Sequence, residues 1–263
     1  MLIKLLKYDL KYMTKNMGIF YALTMLFAIT TRLFFAMNQT VIIAVIARVS
    51  MGCYISMLFS VLFNTVIRSW VRFKDSIYKD EGYLTHTLPV TKDEIYFARF
   101  WEMMIFTLVA FLEIGVSLFV AFYTESRMEL VRNVMKSAFG SLEMSAAGFL
   151  VVCLAIFFLE IVNAVQAGFF GIINGFRQNT GKTLGSFLYG IVYYVVSQGF
   201  SVLFVFLAGL IDRRLLDVFT STNGLSPDVI RLLMILCTIA YVLMLGIGAF
   251  ICSKQLNKGV DLE

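Results

Sequence analysis

An all-α membrane protein with six transmembrane helices is the fold class this sequence predicts, and three observations carry the prediction. Of 263 residues, 60% are apolar and only 15% charged, against about 25% charged in a soluble globular chain. A soluble fold of this length buries about three quarters of its surface, too little to keep so much Phe, Leu, Ile and Val from water. Six apolar segments also reach the roughly 20 residues a helix needs to cross a bilayer. They run over 18–36, 41–67, 100–123, 145–174, 184–211 and 229–252 and make a single transmembrane domain of 1–263. Finally, the chain holds two prolines, as expected where long helices must satisfy every backbone group internally.

In chain order, residues 1–17 read as an amphipathic interfacial helix. Lys4, Lys7, Lys11 and Lys15 recur on one side and Leu6, Leu10, Met13 and Met17 on the other. This helix serves either as a positive anchor or as a lever joining a partner to the first span. The first span is too long, and lacks the small-residue cleavage site, for a signal peptide. Residues 68–99 form the largest segment between spans. Phe73 to Glu81 reads as a short helix stopped by Gly82. Pro89 ends any helix before it, and Thr91-Lys92-Asp93-Glu94 has the form of a capping box that starts a new helix running into the third span. A connection needs only a few residues. The spare chain here carries Tyr78, Tyr83, Leu84 and Leu88, which reads as a docking surface. Residues 124–144 read as an amphipathic helix at the opposite surface, and Asn223-Gly224-Leu225-Ser226-Pro227 as a turn before the sixth span.

Lysine and arginine set the orientation. They concentrate in 1–17, in 68–99, and at Arg177, Lys182, Lys254 and Lys258. The alternate loops hold fewer, Arg127, Arg132, Lys136, Arg213, Arg214 and Arg231, interspersed with acids. Both termini are therefore expected in the cytoplasm. The net charge of +5 follows from this distribution and makes no single basic patch, so nucleic acid is not an expected partner.

Enzymatic chemistry lacks its parts. The single histidine, His86, lies on a loop, and Cys53, Cys153, Cys237 and Cys252 have no CxxC spacing, so neither a metal site nor a His-based triad can be assembled. Gly181-Lys182-Thr183 matches the end of a phosphate-binding loop, but the glycine that loop requires is replaced by Phe176. The ionisable residues inside spans are Arg48, Glu113 and Glu160. At about 1.5 Å per residue, Arg48 and Glu113 fall at the same depth and are expected to pair. Glu160 has no basic partner in view. Such residues either fix helix register or line a substrate path. Glu102, at the end of the third span, reads as interfacial.

The run Asp80-Glu81-Gly82-Tyr83-Leu84-Thr85-His86-Thr87-Leu88-Pro89-Val90-Thr91 resembles the EGYLT-x-TLPV stretch of ABC-2-type transporter permeases from Gram-positive bacteria. The opening Leu5-Leu6-Lys7-Tyr8-Asp9-Leu10-Lys11 and the closing Leu256-Asn257 are also similar to that family. The resemblance implies a permease subunit of a plasma-membrane exporter, paired with a second identical or homologous permease and with separate ATPase subunits that carry ATP and Mg. It implies no cofactor on this chain. The segment between spans two and three would contain a cytoplasmic coupling helix, and residues about 73 to 94 would touch the ATPase, with Glu81, Gly82 and Tyr83 central and Tyr78, Leu84, Leu88 and Pro89 among the contacts. Arg177, Gln178 and Lys182 would make a second contact, and the region between spans five and six would hold re-entrant helices. The alternatives are an ion-coupled secondary transporter, using the intramembrane charges, and a non-transporting membrane sensor or immunity protein.

Overall fold

The structure, a computed structural model, describes residues 2–37, 40–87, 89–124, 146–216 and 226–258, with Glu129, Asn133, Val134 and Val218. Every regular element among them is helical. The long helices are α1 (Leu2–Ala36), α2 (Val41–Tyr78), α4 (Lys92–Phe122), α5 (Ala146–Gly175), α6 (Lys182–Ile211) and α7 (Pro227–Asn257). Between α2 and α4 stands the short α3 (Asp80–Thr87), and a 3₁₀ turn at Arg213–Leu216 follows α6. Most of the residues read as an outer amphipathic helix, and part of the segment expected to hold re-entrant helices, lie outside the described residues.

All six long helices are long and apolar enough to cross a membrane. Their outward faces are apolar: Phe63, Leu112, Phe187, Val195 and Ile211 are among many large side chains left exposed. A soluble protein does not carry an apolar surface on this scale. This is a multi-pass membrane protein.

The apolar runs read from the sequence fall within these helices, to within a residue at their ends, but α1, α2 and α4 continue well beyond them at one end. The 38 residues of α2 amount to about 57 Å, against a hydrocarbon core of about 30 Å. The excess of all three helices lies at one end of the bundle, here called the near end, where α1 and α4 begin and α2 ends. Two expectations change as a result. Residues 2–17 are not a separate interfacial helix but the first half of α1, with the lysines exposed and Met13 and Met17 buried against Phe106. Residues 73–78 are the last turns of α2, because the break falls at Lys79, whose backbone is extended. Gly82 then lies inside α3 and does not end a helix. The expected capping box is present: the Thr91 hydroxyl accepts from the Glu94 amide, and the Glu94 carboxylate accepts from the Thr91 amide. Pro227 occupies the first turn of α7, where its missing N–H is not needed.

The helices form two groups of three, α1/α2/α4 and α5/α6/α7. The seam between them, toward the near end, is aromatic. Phe73 stacks on Phe169 with centroids 4.2 Å apart, and Tyr78 packs on Phe176 at 4.8 Å. The Trp70 indole crosses this seam and donates to the Val165 carbonyl at 2.9 Å. It fits because residue 168 is glycine, where a Cβ would stand 2.0 Å from Trp70 Nε1. Likewise Gly171 lets α5 approach α6, since a Cβ there would meet the Ser186 carbonyl oxygen at 2.2 Å. Such small-residue contacts are the usual means of close helix packing in lipid. Gly168→Ala is therefore expected to destabilise the protein by about 1–3 kcal/mol, measured by unfolding in detergent. The same substitution in a Trp70→Ala background should cost almost nothing, because the atom it collides with is gone.

Candidate functional site

Helix periodicity places a carboxylate where the sequence gives little sign of it. In α1 the inward face is defined by Met13 and Met17, and one turn earlier that face carries Asp9, only 1% exposed. A buried carboxylate needs partners, and two arrive from other helices. Arg72 of α2 donates to Asp9 Oδ1 at 3.0 Å, and Arg99 of α4 contacts the same oxygen. Arg99 also donates to Glu102 Oε2 at 3.3 Å, and both Arg99 and Glu102 are 3% exposed. Glu102 is thus a buried member of this network and not an interfacial residue. Its position three residues after Arg99 turns it back into the same crevice. The guanidinium of Arg72 lies over the Tyr12 ring, 4.3 Å from the centroid. Its other terminal nitrogen donates to Glu81 of α3. One connected set of charges therefore ties α1, α2, α3 and α4 together at the near end.

The expected docking residues divide between surface and interior. Tyr83 is 52% exposed, and Glu81, Thr87 and Pro89 are also exposed. Tyr78 and Gly82 are not available as surface contacts. Tyr78 is fully buried beneath Phe176, because α2 continues inward through this residue, and Gly82 is buried on the inner side of α3. Leu88 and the side chain of Leu84 lie outside the described residues. On the turn between α5 and α6, also at the near end, Arg177 is exposed. Gln178 donates to the Tyr189 hydroxyl at 3.3 Å, and the Lys182 ammonium lies 6.0 Å from the centre of the Phe176 ring. Lys182 opens α6, so the apparent phosphate-loop motif is a helix start.

The ion pair expected between Arg48 and Glu113 is not formed. Equal depth is insufficient, because the two side chains point in different directions around their helices. Ala47 and Ser50 mark the inward face of α2, and Arg48 between them is exposed. Glu113 does face inward, on the stripe of Phe106, Ala110 and Ser117. It is half-buried, with both carboxylate oxygens shielded and without a hydrogen bond. Glu160 is differently placed. It accepts from the Tyr194 hydroxyl and from the Gln198 amide, at 2.9 and 3.2 Å to its two oxygens. The Tyr241 hydroxyl of α7 donates to Gln198 Oε1 at 3.4 Å. Further along α5, Asn163 donates to Ser197 at 2.8 Å, and Gln166 to the Leu245 carbonyl at 3.0 Å. The sequence carried a signal for this strip in the Glu-x-x-Asn-x-x-Gln spacing, which keeps three polar side chains near one side of a helix.

No family model, curated protein or solved structure matches this chain. Among the described residues no group of three or more His, Cys, Asp and Glu side chains is arranged to hold a metal ion. Among the described residues, the fold and these charges define a membrane protein of six long apolar helices with a charged cluster at one end.

Removing one partner from a buried ion pair costs about 3–5 kcal/mol, whereas a half-exposed pair contributes about 0–1 kcal/mol. Asp9→Ala, which strips Arg99 of a buried partner, is thus expected to lower stability far more than Glu81→Ala, whose carboxylate is half exposed. Unfolding midpoints in detergent would check the order, and equal losses would contradict it. In the strip of α5, Glu160→Leu should cost more than Glu160→Gln. Leucine leaves Tyr194 and Gln198 without their acceptor, while glutamine keeps one.

Proposed function

We propose that the chain is the permease subunit of an ATP-binding-cassette exporter of the ABC-2 type. It moves a hydrophobic or amphipathic molecule (peptide, drug or lipid) by alternating access, and ATP is hydrolysed on separate subunits. The assembly contains a second permease, identical or homologous, in a bacterial plasma membrane with both termini of this chain in the cytoplasm. One observation carries the reading. The first eight residues of the run resembling the permease motif fold as α3, a surface helix tied through Glu81 and Arg72 to Asp9 and from there to α4. A push on such a helix is delivered to three long helices through directional, charge-assisted bonds. Exposed Tyr83, Thr87 and Pro89 form the contact surface for the ATPase, with Arg177 as the second contact.

Affinity purification from the native membrane in mild detergent should recover an ATPase with nucleotide-binding motifs. Tyr83→Ala should reduce that recovery by about tenfold or more, the effect of removing an aromatic anchor from an interface. Recovery of the intact protein without an ATPase, where a known ABC complex survives, would remove the proposal. The second reading, an ion-coupled carrier, is favoured by Glu113, a half-buried carboxyl with no partner for its oxygens. It predicts uptake or export driven by an ion gradient alone and lost in Glu113→Gln.

A further inference from the structure

A cavity of about 460 Å³ opens between α2, α5 and α6, within the size range of small-molecule sites. Along α6 it extends from Thr183 to Tyr194, about 16 Å at 1.5 Å per residue. That is about half of the roughly 30 Å hydrocarbon core, the depth of one leaflet. Its walls are Trp70, Phe187, Ile191 and the bare backbone at Gly168 and Gly190. The Trp70 indole N–H is already committed to Val165, so the tryptophan offers the cavity an apolar ring.

The near-end mouth is different. Lys74 and Thr183 stand there, Lys74 beyond the apolar part of α2 and Thr183 in the first turn of α6, and therefore at headgroup level. The ammonium of Lys74 lies 3.7 Å from Asp75, but Asp75 is also claimed by Lys79 at 3.4 Å. One carboxylate between two ammonium groups leaves positive charge uncompensated at the opening. A slot one leaflet deep, apolar along its walls and positive at its mouth, has the shape and charge of a lipid chain below an anionic headgroup.

We propose that this groove holds an acyl chain of an anionic phospholipid, with the headgroup against Lys74. The site is independent of the permease reading, since it requires neither an ATPase nor transport.

The protein holds two tryptophans, which gives a direct test. In Trp101→Phe, Trp70 is the only indole and lines the groove. This variant is placed in phosphatidylcholine vesicles containing increasing fractions of phosphatidylglycerol or phosphatidylcholine with brominated chains. Trp70 fluorescence should be half-quenched at about fivefold less of the brominated anionic lipid, the preference one lysine at a charged surface confers. Lys74→Gln should bring the two curves together, and Lys74→Arg should keep them apart. Trp70→Phe leaves Trp101, which is half-exposed on α4, and should show no preference. Coincident curves for Trp70 would overturn the proposal, as would an equal preference at Trp101, which is what general surface charge would give. Quenching of Trp70 by neither lipid would also overturn it, giving the groove to a second copy of the chain. Circular dichroism of each variant establishes that the helices are intact.

Discussion

A carboxylate that is 1% exposed has to be neutralised where it stands, and Asp9 is neutralised by guanidiniums from two other helices. This requirement fixes the relative heights of α1, α2 and α4, because Arg72 and Arg99 must reach one oxygen. Hydroxyl contacts at the other end agree with that register. Asp9 and Thr31 lie 22 residues apart on α1, and their partners Arg72 and Ser50 lie 22 apart on α2. Arg72 and Tyr54 are separated by 18 residues on α2, and Arg99 and Ser117, level with them, by 18 on α4. Antiparallel helices with the same rise per residue can satisfy both ends at once only if the near-end charges and the far-end hydroxyls specify the same alignment. Slipping any of the three by one turn would leave a buried charge alone, a penalty of several kcal/mol. The long polar extensions of α1, α2 and α4 beyond the lipid follow from this. They have to be helical to bring Asp9, Arg72 and Arg99 to one level.

The spans were legible because a bilayer imposes a length and a composition that almost nothing else does. The start of α4 was legible because Thr91 and Glu94 satisfy each other locally. What the sequence concealed depends on direction around a helix or on distant partners. Asp9 stands among lysines in a segment that looks like a simple basic anchor, and only the inward stripe it shares with Met13 and Met17 shows that it is buried. Arg48 and Glu113 were matched in depth, yet Arg48 lies beside the inward face of α2 and not on it. The end of α2 is not marked in the sequence because a helix that leaves the lipid loses its continuous apolarity. From there its inner face is carried by Phe73, Ile77 and Tyr78, all buried, among polar and charged neighbours. Of the candidate docking residues, Tyr83 is on the surface. Tyr78 is not, because an aromatic residue at a helix end can as well complete the core beneath it.

The two three-helix groups are held together differently from the way each is held internally. Within α1/α2/α4 the ties are charges and hydroxyls, and within α5/α6/α7 they are the amides and hydroxyls around Glu160, Asn163 and Gln166. Hydrogen bonds are directional and resist sliding, so each group is a stiff unit. The seam between them is mostly stacked aromatic and aliphatic surface, which tolerates small displacements. Among the described residues, the hydrogen bonds that cross it include those from Trp70 to Val165, and from Ser253 and Asn257 to Asp93. These all lie toward the near end. Two stiff bodies joined at one end and in non-directional contact elsewhere move most cheaply by pivoting about the joined end. In the proposed exporter, α3 stands beside that pivot and is bonded through Glu81 to Arg72 of α2. A force on α3 would therefore turn α1/α2/α4 against α5/α6/α7, and the largest displacement would fall at the far end.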